Sequence, residues 1–156
     1  MILHKNRGMF LETILNLTCN FYIKNNIAYI EKKNVELKNN ENKKLAKGKS
    51  TVDYWGCLKG MFIAFEAKST HGSRIEKSNF KIHQLEFLLK IKKSGGIAFY
   101  VLYFFVENKF LIVEPEVIEN FMIEDISITY LNIKKYSKEL ELTFPGILDF
   151  IPLISY

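Results

Sequence analysis

Asp53, Glu66 and Lys68 are the residues whose types and spacing could do chemistry. In an extended segment Met61, Ile63, Phe65 and Ala67 fall on one face, and Phe62, Ala64, Glu66 and Lys68 on the other. Glu66 and Lys68 therefore point the same way. If Lys59-Gly60 forms a two-residue turn, Leu58 faces Met61 and Asp53 faces Glu66, with opposed Cβ atoms about 4.5–5.5 Å apart. Two carboxylates so placed destabilise a sheet unless something neutralises them. A divalent cation does so, and oxygen ligands suit Mg²⁺, with Mn²⁺ as a substitute. Lys68 beside the pair can hold a water molecule or help deprotonate it. These are the parts of metal-assisted phosphodiester hydrolysis: the cation polarises a phosphoryl oxygen and activates water, and the ammonium steadies developing charge. The same three residues would equally make a solvated cross-strand charge cluster, and a bulge at Gly56 would shift the register by one residue.

Several elements must position these groups. Asn6-Arg7-Gly8 can open a helix running to about Asn20. Its apolar stripe reads Phe10, Ile14, Leu17 and Phe21, widened by Leu11, Leu15 and Tyr22. Ile27 to Lys33 reads as a strand. Residues 34–50 hold five Lys, four Asn and two Glu, the composition of an exposed loop or projecting arm. Val52 to Ala67 reads as a hairpin, and Ser78 to Lys93 as a helix with Ile82, Leu85, Leu88 and Leu89 inward and Gly95-Gly96 as its stop. Ile97 to Phe105 and Phe110 to Val113 read as buried strands, and Pro115 opens a short helix through Phe121. Ile126 to Phe144 adds a strand and irregular structure, and Pro145-Gly146 marks a turn. This order predicts an α/β fold, a mixed sheet flanked by helices, as a single domain over residues 1–156.

Composition narrows the partners. The chain of 156 residues is 48% hydrophobic, which excludes a disordered tail. The longest apolar run, Ile97 to Val106, is half of the roughly 20 residues needed to span a membrane. No signal-peptide stretch follows Met1, and Cys19 and Cys57 form no CxxC pair, so a reducing cytoplasmic compartment is expected, without a disulfide framework. Residues 1–60 hold 11 basic and 5 acidic side chains, residues 61–113 hold 8 and 4, and residues 114–156 hold 3 and 8. A positive body with an acidic end fits a nucleic-acid partner, although 20 of the 22 basic residues are Lys and a lysine-rich proteome would look the same. Lys38, Lys43, Lys44, Lys47 and Lys49 in the arm are candidate phosphate contacts, worth a salt slope of about −4.5 on duplex DNA if all five engage. Tyr54 and Trp55 are candidates for stacking on an unpaired base, or for covering the sheet.

Asp53, twelve intervening residues and then Glu66-Ala67-Lys68 resemble the PD-(D/E)xK nuclease signature, with Val52 in place of Pro. More specifically, the chain resembles the RecU family of Holliday junction resolvases. The matching pieces are Asn6-Arg7-Gly8-Met9 with Leu11-Glu12, Thr51-x-Asp53-Tyr54-x-Gly56, Lys59-Gly60, Phe65-Glu66-Ala67-Lys68 and Asn79-Phe80-x-x-His83-Gln84-x-Glu86. They occur in the family order across residues 6 to 86. The resemblance implies a restriction-endonuclease-like sheet with a short projecting basic arm. It implies a homodimeric, Mg²⁺-dependent endonuclease that resolves four-way junction DNA by paired nicks in recombination and repair, and that works with RecA and branch-migration proteins. It implies that Asp53 and Glu66 bind metal with the Ala67 carbonyl as third ligand, and that Lys68 positions the attacking water. Glu12 would approach from the first helix and Gln84 support the site from the later one, with Arg7 meeting DNA. Val52 also stands where a Thr is expected, and the arm is short for the family. These departures motivate two other readings: a non-catalytic junction-binding or RecA-regulating module on the same fold, or a nuclease with another DNA target.

Other residues carry less. On the helical wheel Glu12 lies about 140° from the stripe centre, the place of a solvated carboxylate. His83 has no second His at metal spacing, so a His-based centre is not expected. His71 sits among small polar residues, and neither cysteine has a base partner that would make it a nucleophile.

Overall fold

The structure, a computed structural model, describes residues 8–33 and 52–154. The arm 34–50, with Lys38, Lys43, Lys44, Lys47 and Lys49, lies outside the described residues, as does Arg7. The α-helices are α1 (Met9–Lys24), α2 (Ile82–Lys93), α3 (Pro115–Ile123) and the single turn α4 (Tyr130–Ile133). The strands are β1 (Tyr29–Lys32), β2 (Tyr54–Leu58), β3 (Met61–Thr70), β4 (Arg74–Ile75), β5 (Ile97–Phe104), β6 (Lys109–Val113), β7 (Ile128–Thr129), β8 (Ser137–Leu140), β9 (Leu142–Thr143) and β10 (Ile147–Leu148). Six of them form one mixed sheet in the order β1-β2-β3-β5-β6-β8. Only β3 and β5 run parallel in it; the other neighbours are antiparallel. A mixed sheet between helices is the fold expected from the element order, and it is consistent with the restriction-endonuclease-like architecture. No helix among the described residues is long and apolar enough to cross a membrane.

Both sheet faces are covered, which is why β5 is apolar and buried at every position. One face packs Ile63, Phe65, Phe99 and Val101 against α1 and the C-terminal Phe150 and Ile151. The other packs Ala64, Ala98, Tyr100 and Leu102 against Leu85 and Leu88 of α2 and Ile118 of α3. Buried hydrogen bonds tie α1 to the chain end. Thr18 Oγ1 accepts from the Leu148 N–H (3.0 Å), and the Tyr22 hydroxyl donates to Asp149 Oδ1 (2.6 Å) while accepting from the Phe150 N–H (3.0 Å).

Two expected helix faces are corrected. In α1 the buried residues are Leu11, Ile14, Leu15, Thr18, Cys19 and Tyr22, while Phe10 and Leu17 are exposed. The inward stripe is turned by about one residue because the polar Thr18 has buried work in tying down the C-terminal strand. In α2, Lys77–Asn79 forms a separate 3-10 turn, Phe80 and Lys81 are extended, and the helix starts only at Ile82. Extending Phe80 puts its ring into the core against Tyr100, 5.3 Å between centroids. Ile82 is left 74% exposed, and the inward position is taken by Gln84.

The hairpin keeps the expected register. Leu58 pairs with Met61 and Tyr54 with Phe65, without a bulge at Gly56. Lys59 and Gly60 both have positive φ, 49° and 84°, as a two-residue turn of the hairpin-favouring hand requires. Gly56 is dictated by packing: a Cβ there would fall 2.7 Å from the Ile30 Cα and collide with the Tyr29 carbonyl oxygen of β1.

Candidate active site

β3 is ten residues long and β2 only five, so from Glu66 onward β3 keeps β5 on one side and, among the described residues, has no strand on the other. Asp53 stands at that step, one residue before β2 begins. The Ala67 N–H, which would otherwise face an absent strand, donates to Asp53 Oδ2 (3.1 Å). In an antiparallel ladder the N–H and C=O of one residue point to the same edge, so the Ala67 carbonyl also faces the Asp53 side. The Asp53 N–H in turn donates to Glu66 Oε2 (2.8 Å). Continuing the hairpin register places Asp53 opposite Glu66.

The other Glu66 oxygen, Oε1, accepts from Lys68 Nζ at 2.7 Å. The same ammonium reaches Gln84 Oε1 at 3.4 Å. Glu66 is only 2% exposed, a carboxylate nearly withdrawn from water. Burial, and then the neighbouring charge of Asp53, push its carboxyl up to about 7, against the lowering effect of Lys68. One ammonium therefore does not balance the pair. A site with excess buried negative charge, built only from oxygen donors, fits a hard divalent cation. Among the described residues no three His, Cys, Asp or Glu side chains come together as a metal cage. The donor set on hand is thus two carboxylates and the Ala67 carbonyl, which suits a cation completing its shell with water and substrate phosphate oxygens.

A cleft of roughly 110 Å³ opens beside Asp53, lined by Gly8, Leu11, Glu12, Lys32, Asp53, Tyr54, Ala67 and Ser69. Glu12 is therefore at the cleft rather than on a remote solvated face, and it forms an ion pair with Lys32 of β1. The rotation of the α1 stripe explains this, since it brings Glu12 to the edge of the buried face. Gln84 is buried, and its contact with Lys68 places it at the pair. Asp53, Glu66, Lys68 and Gln84 are thus linked by hydrogen bonds, while Glu12 lies across the cleft that Asp53 and Ala67 line on the other face of β3.

Tyr54 does not present a stacking surface. It is 1% exposed, its ring lies flat on Phe65 at 4.7 Å, and its hydroxyl donates to Asn16 Oδ1 (2.9 Å). The expectation that it stacks on a base is corrected: the strand alternation turns its ring into the α1 side of the core. Trp55 faces the opposite way and is half-buried, edge-on to Phe62 with Lys33 Nζ 4.3 Å above its ring. Val52 is fully buried among Ala64, Ile75 and Phe80, a position that apolar packing explains. His71 stacks on Phe105 at 4.1 Å, away from any metal-like grouping. Cys19 is buried, with its thiol pushed up to about 12 by burial, and Cys57 is exposed.

Two contributors escaped the sequence reading. Lys32 is an unremarkable strand lysine until pairing brings β1 beside α1. Tyr100 lies in an unbroken apolar run whose periodicity says nothing of a polar neighbour, yet its register partner is Glu66.

Known proteins resemble this chain along nearly its whole length. The profile of the RecU family, described as Recombination protein U, matches residues 6–156. The chain is 43% identical over 153 residues to the Holliday junction resolvase RecU of Mycoplasmopsis pulmonis, covering 98% of this chain and 96% of that one. It is 31% identical over 159 residues to the protein of that name from Ureaplasma parvum serovar 3, covering 97% and 94%. It is 31% identical over 166 residues to that from Bacillus cytotoxicus, covering 96% and 83%. A carboxylate pair with an adjoining lysine at the end of a mixed sheet, and near full-length similarity to these proteins, lead to one conclusion: the chain belongs to the RecU family of Holliday junction resolvases, which are endonucleases.

Proposed function

We propose that this chain is a Mg²⁺-dependent endonuclease that resolves four-way junction DNA by paired, symmetric nicks. The observation that carries the reading is the pair of the buried Glu66 and the half-buried Asp53, with Lys68 on one Glu66 oxygen and Gln84 beside the ammonium. Asp53, Glu66 and the Ala67 carbonyl hold the cation. Bound there, Mg²⁺ supplies polarisation of the scissile phosphate and a more acidic water. Lys68 holds the attacking water and offsets negative charge that develops on the phosphate oxygens. Gln84 accepts a second, longer hydrogen bond from the ammonium and so fixes its direction. The Glu12–Lys32 ion pair forms one wall of the cleft beside Asp53. Arg7 and the lysines of the arm meet phosphates, and the whole of residues 1–156 serves as one nuclease domain in a reducing cytoplasm. Two such domains related by a two-fold axis suit the task, since resolution cuts two strands of a nearly symmetric junction. Contacts with RecA and branch-migration proteins complete the reading.

Incubating the protein with a synthetic four-way junction and a matched linear duplex tests this. Cutting that favours the junction and stops when Mg²⁺ is chelated is the expected outcome. Equal cutting of linear duplex overturns junction selectivity. Binding without cutting in either Mg²⁺ or Mn²⁺ overturns the enzymatic reading.

A further inference from the structure

The Tyr100 side chain is wholly buried, on the sheet face that carries Glu66 and Lys68. Its hydroxyl has no hydrogen-bond partner among the described residues. A Tyr in such a core is ordinarily bonded, because an unmet buried hydroxyl costs about 1–3 kcal/mol, and Phe would fill the same space without that cost. Tyr100 and Glu66 are direct register partners on the parallel strands β5 and β3, so the two side chains stand next to each other on one face. Phe80 closes the side of the ring edge-on, and no polar group among the described residues bonds the hydroxyl. The nearest unmet need in the proposed active state is on Glu66. Both of its oxygens are already engaged, by the Asp53 N–H and by Lys68 Nζ. The Lys68 ammonium would be repelled by a cation held at Glu66 Oε1, and Lys68 is the group with other work to do.

We propose that Tyr100 is a positioning residue of the metal pair: its hydroxyl donates to Glu66 when a cation takes the place of Lys68, fixing the carboxylate and leaving the ammonium to hold the reacting water. This rests on the reading of Asp53 and Glu66 as metal ligands. It accounts for a hydroxyl that is idle without the cation and buried beside Glu66. Hydrogen bonds of this kind to a ligating carboxylate typically alter metal affinity by about 10–100-fold.

Tyr100→Phe removes the hydroxyl and keeps the ring, so the core stays filled. Mn²⁺ binding is measured by calorimetry on wild type and on Tyr100→Phe, in the absence of DNA, beside metal-free melting curves. The expected result is an Mn²⁺ Kd weakened by about tenfold or more, with a metal-free melting temperature equal to or above that of wild type. An unchanged Kd overturns the inference while leaving the metal site standing, and so does a lowered metal-free melting temperature with unchanged Kd, the mark of a merely structural hydroxyl. Failure of wild type itself to bind Mn²⁺ overturns the metal site and the inference together.

Discussion

The two halves of β3 make opposite use of the same backbone. From Met61 to Phe65 the strand pairs with β2, from Ile63 with β5 as well, and Ile63, Ala64 and Phe65 are sealed in apolar packing. From Glu66 to Thr70 it has β5 on one side only, and there it carries Glu66, Lys68 and the Ala67 edge bonded to Asp53. The first half is a scaffold whose backbone groups are met by strands. In the second, side chains meet the backbone, and a buried charge is left for a cation to balance. Stopping β2 five residues short of β3 is what turns a core strand into a site.

The largest effect should come from the second half. Glu66→Gln removes a proposed metal ligand and the excess charge together. Junction cleavage is expected to fall by about 10³-fold or more in single-turnover assays. The metal-free protein should melt higher, because the buried like-charge pair is gone. The first half should break differently. Gly56→Ala drives a Cβ into the β1 backbone and should cost about 3 kcal/mol in denaturant unfolding, a loss of fold rather than of chemistry alone. Gln84→Ala is milder, since its contact with Lys68 is long. It should lower kcat about tenfold with KM little changed, read from steady-state cleavage.

The smallest effect is in pH. The Glu66 carboxyl is raised from an ordinary 4.5 to about 7 in the folded chain. Between those values the folded state keeps a proton that the unfolded state has released, so folding is favoured at low pH and that contribution fades as pH rises through the window. Melting of the metal-free protein should drop by a few degrees from pH 4.5 to 7 relative to Glu66→Gln, and saturating Mg²⁺ should offset the loss.

Much of this was legible in the sequence because it depended on short-range rules. The two-residue turn at Lys59-Gly60 set the register, and the register set Asp53 against Glu66. Strand alternation placed Lys68 on the side of Glu66. What was not legible depended on tertiary partners. The α1 stripe was misplaced by about one residue, because nothing local announces that Thr18 will bond the Leu148 backbone. That misplacement hid the position of Glu12 at the cleft. The late start of α2 follows from burying Phe80, and it exchanged Ile82 for Gln84 at the inward position. Tyr54 is legible only as one of two readings, base stacking or sheet cover, because aromatic type does not reveal which face of a strand is buried. Tyr100 needed the β3–β5 pairing, which joins residues 34 positions apart in the chain.

The central claim is that the step between β2 and β3 is a cation site that cuts junction DNA, and Asp53→Asn tests it most directly. The substitution keeps the size of the side chain and removes its charge at the one residue that bonds both sides of the step. With a four-way junction labelled on each strand, wild type in Mg²⁺ should give one nick in each of two opposing strands at symmetric positions. Asp53→Asn should bind the same junction with similar affinity and give none. Symmetric nicks at an undiminished rate from Asp53→Asn would contradict the account.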